Sequence, residues 1–317
     1  MTGHRRPSVG MSLALLLPFL LAGCVSVGGG PPGPHPTAPL GGGPPSAVTV
    51  ASFNFPESEL LAQIYGQALG GAGLPVELLP GLGPRELLEP ALARGLVDFV
   101  PEYAGSALQF LTLGRDRPTS RIGRTHRALD RALASHGLQA LDAAPGQDAN
   151  AIVVTRKTSR RYGLRTISDL AGVASTLKFA GPPECPKREF CLLGLRQVYG
   201  LRFKRFFGLD TGGPLTLQAL RAGDIDVGLL FSTDPGIERY HLVVLSDDRD
   251  LQPAENVTPV IRSAMVSRYG PGLVRVVNEV SARLTTDELR ALNARAALPN
   301  ADLRQIAAQW LAGRGIG

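Results

Sequence analysis

The residues best placed to do chemistry are two aromatics that recur at one spacing. Tyr103 ends the stretch Gly95-Leu96-Val97-Asp98-Phe99-Val100-Pro101-Glu102-Tyr103, and Phe231 ends Gly223-Asp224-Ile225-Asp226-Val227-Gly228-Leu229-Leu230-Phe231. In both, an Asp lies three residues after the Gly and the aromatic five residues after the Asp. The face of an aromatic ring attracts a cation, and the carboxyl ends of strands are where open α/β sheets bind ligands. Before each aromatic comes a short amphipathic helix, a Gly able to end it in the left-handed conformation, and a buried-type strand. Taken singly, Gly-x-(Val/Ile)-Asp is common helix–strand punctuation, and Asp98 and Asp226 read as caps or props for their own strands. Two copies far apart predict two α/β lobes, each offering an aromatic to a shared cleft.

Other chemistries have thinner support. There is no Gly-x-Ser-x-Gly elbow and no His-Glu-x-x-His pair, so an extracytoplasmic hydrolase is the weaker reading. His35 lies in a Gly/Pro-rich stretch, His126 and His136 on or beside a surface helix, and His241 ahead of a strand. No Gly-x-x-x-x-Gly-Lys occurs, and Gly81-Leu82-Gly83 reads as a turn before a helix. No nucleotide, metal or other cofactor is expected. Cys185 and Cys191 bracket a short loop; a disulfide is the leading reading in a secreted chain, with metal binding the rival.

The elements that must position the aromatics follow from periodicity. Val48 to Ser52 alternates like a half-buried strand, Phe53-Asn54-Phe55 follows, and Pro56-Glu57 opens a helix to about Gly71. Val76 to Leu79 is a second strand, and strand–helix alternation continues to about Gly137. A second set has strands near Ala151–Thr155, Thr176–Ala180, Phe203–Phe207, Ile225–Leu230 and Leu242–Leu245. Helices near 271–283, 286–296 and 300–312 close the chain and need a sheet to pack on. The expectation is an α/β chain with one lobe from 47–147 and 256–317 and a second, with the hinge, from 148–255.

The ends and the charge bound the setting. Arg5 and Arg6 precede an apolar run from Met11 to Gly23, too short for a comfortable transmembrane helix. It closes on Leu21-Ala22-Gly23-Cys24, which looks like the lipobox of bacterial lipoproteins; residues 1–23 then read as a signal peptide and Cys24 as the lipidated N-terminus. Residues 24–46 are mostly Gly, Pro and small residues and read as a tether. The formal charge is +6, and removing residues 1–23 takes Arg5 and Arg6 with no acid, leaving +4. The basic residues are scattered with no dense block among aromatics, which argues against nucleic acid.

A set of short motifs then resembles one family in order along the chain. Ala51-Ser52-Phe53-Asn54-Phe55-Pro56-Glu57-Ser58 is similar to the G-S-K-N-F-T-E opening of osmoprotectant substrate-binding proteins, which serve ABC importers for glycine betaine, choline and related quaternary amines. Pro101-Glu102-Tyr103-Ala104-Gly105-Ser106 resembles their P-E-Y-T-G-T, Phe231-Ser232-Thr233-Asp234 their (Y/F)-S-T-D-G, and Leu245-Ser246-Asp247-Asp248 their L-x-D-D. Pro253-Ala254-Glu255-Asn256 resembles their P-x-Y-N, and Thr258-Pro259-Val260 their A-P-V. The resemblance implies a two-lobed periplasmic-binding-protein-like (type II) fold with a hinge of two chain crossings, closing on its solute. It implies an ABC permease as partner and an extracytoplasmic place, held by lipid, for a monomer that is not an enzyme. A sensory lipoprotein using the same clamp is the further alternative.

The implied site is mixed. Tyr103 and Phe231 match cage aromatics, Ser106 a Thr whose hydroxyl helps bind a ligand carboxylate, and Arg188 an Arg that reaches that carboxylate. Asn54 and Thr233 join them through their motifs. Three positions depart: Phe53 stands where Lys is frequent, and Asn150 and Glu255 stand where cage Tyr residues are expected. Asn150 adds an amide, and Glu255 either meets a ligand cation or pairs with Arg188 across the cleft and excludes betaine. A cationic or zwitterionic solute is the expected ligand.

Overall fold

A computed structural model of the chain describes residues 47–211 and 213–316. The readings of residues 1–46 as signal peptide, lipidated Cys24 and tether lie outside the described residues. The first run comprises β1 (Val48–Phe53), α1 (Pro56–Gly71), β2 (Val76–Gly83), α2 (Arg85–Ala93), β3 (Phe99–Tyr103), α3 (Ala104–Leu111), α4 (Ile122–Ala134) and β4 (Leu138–Ala140). The second comprises β5 (Asn150–Val154), α5 (Arg156–Tyr162), β6 (Lys178–Gly181), α6 (Leu192–Tyr199), β7 (Arg205–Gly208), α7 (Pro214–Ala222), β8 (Val227–Phe231), α8 (Pro235–Arg239) and β9 (Val243–Val244). The chain then returns through β10 (Val257–Arg262) to α9 (Ser263–Arg283), α10 (Thr286–Ala296) and α11 (Leu303–Ala312).

Two five-stranded sheets share one plan, with orders β2-β1-β3-β10-β4 and β7-β6-β8-β5-β9. Each has three parallel strands, then an antiparallel strand that arrives from the other sheet. The register is equivalent in the two: Val257 of β10 opposes Tyr103, and Asn150 of β5 opposes Phe231. Both recurring aromatics therefore end a strand beside the start of a crossing strand.

Packing explains the return. Leu273 and Val277 of α9, Leu292 of α10 and Trp310 of α11 share a core with Val48 and Val50 of β1. Those helices would expose their apolar faces without the first sheet beneath them. In the second sheet β5 is buried on both faces, Ile152 and Val154 in one core and Ala151 and Val153 in another. Side chains alternate across a strand, so one apolar run serves both layers.

The two modules are built alike. Gly95 and Gly223 end their helices with φ of +72° and +80°, which an L side chain adopts only with strain. The Asp residues do more than prop their own strands. Asp98 donates its N–H to the Thr49 carbonyl and accepts the Thr49 N–H on its carboxylate at 3.0 Å; Asp226 does the same with Lys178, at 2.9 Å. Each Asp thus ties its strand to the parallel neighbour on which the sheet is built. A second correction concerns Gly81-Leu82-Gly83, which belongs to β2 rather than to a turn. Gly81 donates to the Ser52 hydroxyl at 2.8 Å and Gly83 pairs with Phe53 past a register shift in β1, which prolongs the strand.

The crossing segments lie side by side. Asp148 donates its N–H to the Glu255 carbonyl at 2.9 Å, and Val257 to that of Gly146 at 3.1 Å. Gly105 lets the second segment approach α3: a Cβ there would stand 2.5 Å from Pro253 and 2.9 Å from the Ala254 carbonyl oxygen. Among the described residues, no helix is long and apolar enough to cross a membrane.

Candidate functional site

A cavity of about 380 Å³ opens where β3 and β8 end. Phe53, Asn54, Tyr103, Ser106, Asn150, Arg188, Phe231 and Glu255 all line it. Its aromatic wall centres on Phe55, the N-cap residue of α1. The Phe55 ring centre lies 6.0 Å from that of Tyr103 and 5.1 Å from that of Phe231, and Phe53 stacks on it at 5.9 Å. Tyr103 and Phe231, each placed by its module, thus meet one ring between them. Phe110 and Phe190 extend the wall.

Thr233 is not on the wall. It is only 1 % exposed, and its hydroxyl donates to Glu57 at 2.6 Å. The motif brought it to the right loop, but its hydroxyl donates to a buried carboxylate instead of to the cavity. That carboxylate also accepts from the Tyr103 hydroxyl at 2.7 Å and from Asn293. Tyr103 therefore shows the cavity its ring, with its hydroxyl turned into the protein; burial raises that hydroxyl's pKa, as does the neighbouring Glu57 charge. Burial likewise raises the pKa of Glu57, and it lifts Asp148, which the Glu57 charge pushes up further.

Other expected donors are already engaged. The Ser106 hydroxyl donates to Glu255, which also accepts the Ser106 N–H at 3.1 Å. Asn150 spends its amide N–H groups on the Phe190 carbonyl at 3.0 Å and Gln252 at 3.2 Å, holding the neighbouring loop rather than presenting donors to a solute. Arg188 pairs with Glu86 at 2.8 Å across the cleft and lies over the Phe110 ring at 5.7 Å. The pairing of Glu255 with Arg188 does not form, because each has a different partner. The loop carrying Arg188 is closed by a disulfide between Cys185 and Cys191, whose Cα atoms are 5.2 Å apart.

Sequence reasoning missed four contributors. Phe55 sat inside the quoted motif, yet a lone aromatic at a helix start has no periodicity to mark it. Arg85, at the start of α2, binds Glu102 through Nε at 2.9 Å and Nη2 at 2.8 Å and lies 4.9 Å from the Phe53 ring centre. Behind them Glu89 is buried beside Glu102, and burial, then the Glu102 charge, raises its pKa well above the usual range. Asp148 lines the wall and accepts from Ser232 and from the Thr233 N–H. Glu255, at 2 % exposure, has its pKa raised to about 7 by burial, against the pull of its Ser106 bonds and of Arg85. Among the described residues, no group of three His, Cys, Asp or Glu is placed to hold a metal ion.

Residues 46–313 match the family model of the substrate binding domain of ABC-type glycine betaine transport systems. The chain belongs to this family. It is 25% identical to the glycine betaine-binding protein YehZ of Escherichia coli K12 over 279 residues, covering 85% of this chain and 91% of that protein. It is 29% identical to a glycine-betaine-binding protein of Pseudomonas aeruginosa over 274 residues, covering 83% and 86%. Its fold matches the crystal structure of a glycine betaine/carnitine/choline ABC transporter protein with a TM-score of 0.68, at 23% identity, over 85% of this chain and 99% of that one. The fold is that of the type II periplasmic binding proteins, and the chain is a substrate-binding component of an ABC-type system.

Proposed function

We propose that the cleft holds a quaternary ammonium solute against the Phe55–Tyr103–Phe231 wall and hands it to an ABC permease. The observation that carries this reading is the meeting of the two recurring strand-end aromatics on one ring, inside a cavity of about 380 Å³. A quaternary ammonium has no N–H to donate, so aromatic faces hold it through cation–π attraction and apolar contact. Capture and release need no bond to be made or broken, so the protein acts as a carrier and not as an enzyme. The Leu21-Ala22-Gly23-Cys24 motif supports anchoring of the mature protein by a lipid on Cys24, facing away from the cytoplasm.

The test is a thermal-shift screen with choline, glycine betaine and carnitine. Binding to the folded state alone raises the melting temperature with ligand concentration. A rise with at least one of these supports the reading, and none with any of them overturns it. For the anchor, labelled palmitate should enter the full chain and not the Cys24→Ala variant.

A further inference from the structure

Resting on the cation-binding reading above, we propose that Glu255 sets the charge of the solute. The cleft would thereby select a monocation that lacks a carboxylate, such as choline, over a zwitterion such as glycine betaine. Arg85 gives both of its near donors to Glu102, and Arg188 is paired with Glu86. Lys187, the remaining cation on the wall, is exposed to solvent. A ligand carboxylate entering this cleft finds each of its two shielded guanidinium groups already neutralised by a protein carboxylate. Binding there would set a further negative charge beside Glu102 or Glu86.

The acids are in the opposite condition. Among the described lining residues, carboxyls outnumber cations five to three, and Asp148 and Glu255 are the buried ones. Glu255 faces Ser106 of α3, Arg85 of α2 and Glu102 at the end of β3. Its hydrogen bonds come from the Ser106 N–H and hydroxyl, and the guanidinium it senses is the one bound to Glu102. A buried carboxylate without a bonded cation is costly, so it holds its proton until a positive charge arrives. A monocation against the aromatic wall supplies that charge. A zwitterion brings a second carboxylate beside Glu255 and Asp148 and returns the deficit. The value of about 7 for the free protein then makes cation binding release a proton.

Calorimetry with choline and with glycine betaine, at pH 6 and pH 8, tests this on the wild type and on Glu255→Gln. Choline has no group titrating in this range, so any pH dependence belongs to the protein. Choline should bind more tightly than glycine betaine at pH 8, and its Kd should weaken roughly tenfold from pH 8 to pH 6. Heats measured in buffers of different ionisation enthalpy should show proton release on choline binding near pH 7; this needs no variant. Glu255→Gln removes the charge and keeps one of the two oxygens that accept from Ser106. It should remove most of the pH slope and shrink the preference for choline, whereas Glu77→Gln, exposed on β2 and outside the cavity, should leave both intact. Equal or tighter binding of glycine betaine, a flat pH profile in the wild type, or a Glu255→Gln protein that keeps slope and preference would each overturn the proposal. Binding of neither compound would overturn the reading of the site itself, and this inference with it.

Discussion

Phe55 is the residue on which the wall turns, because it touches both aromatics that the repeated spacing singles out. Phe55→Ala should weaken whichever quaternary amine binds by about 1–3 kcal/mol, through lost contact area and cation–π attraction. Titration calorimetry would measure this, and unchanged affinity would show that the solute sits elsewhere. Tyr103→Phe should behave differently, since the Tyr103 hydroxyl points at Glu57 and not into the cavity. It should cost about 1–3 kcal/mol of stability in denaturant titrations, by leaving a buried carboxylate one donor short, and change ligand affinity little. The sequence makes Tyr103 and Phe231 legible because strand ends repeat. It does not make Thr233 legible as a buried donor, since its partner Glu57 is 176 residues away. The engagements of Ser106, Asn150 and Arg188 were hidden in the same way: residue type states what a side chain can donate, and only the fold states who receives it.

At the scale of elements, the Gly–Asp modules act as joints that hold the aromatics in register. Asp98 and Asp226 each exchange two hydrogen bonds with one residue of the neighbouring parallel strand. Asp98 is also paired with Arg262 of β10 at 3.0 Å, whereas the Asp226 carboxylate accepts the Lys178 N–H. Asp226→Ala should therefore lower stability by about 1–3 kcal/mol, from the unpaired Lys178 N–H and the loosened β6–β8 pairing. The Kd of the protein that remains folded should hardly move. Urea unfolding followed by circular dichroism measures the first part, and a large change in affinity with no change in stability would refute the structural role. The alternation of strands and helices was readable because each strand is a short apolar run between a Gly-ended helix and the next turn. The extension of β2 through Gly83 was not, because it depends on Ser52 of another strand accepting the Gly81 N–H.

The two sheets are joined at a place where two buried acids meet. Glu57 lies on α1, Asp148 on the first crossing segment, Thr233 beyond β8 and Asn293 on α10, so four separate stretches of chain meet at one carboxyl pair. The hydrogen bonds to this pair come from neutral groups: Tyr103, Ser232, Thr233 and Asn293. Burial raises both carboxyl pKa values, and the Glu57 charge raises that of Asp148 further. Between the ordinary carboxylate value of about 4 and these raised values, the folded state holds more protons than the unfolded chain. The pair's contribution to stability is thus fully present below that window and is lost as pH rises through it. Asp148→Asn removes one of the two like charges while its amide oxygen can still accept from Ser232 and Thr233. The variant should be more stable than the wild type at pH 8, by about 1–3 kcal/mol, and the gain should shrink as the pH is lowered toward 5, because the raised values let the wild-type pair regain protons in that direction. Melting temperatures of both proteins across that range decide the matter. A gain of the same size at pH 5 and pH 8 would mean that the pair does not titrate between them, and that proton binding plays no part in holding the two sheets together at the crossing.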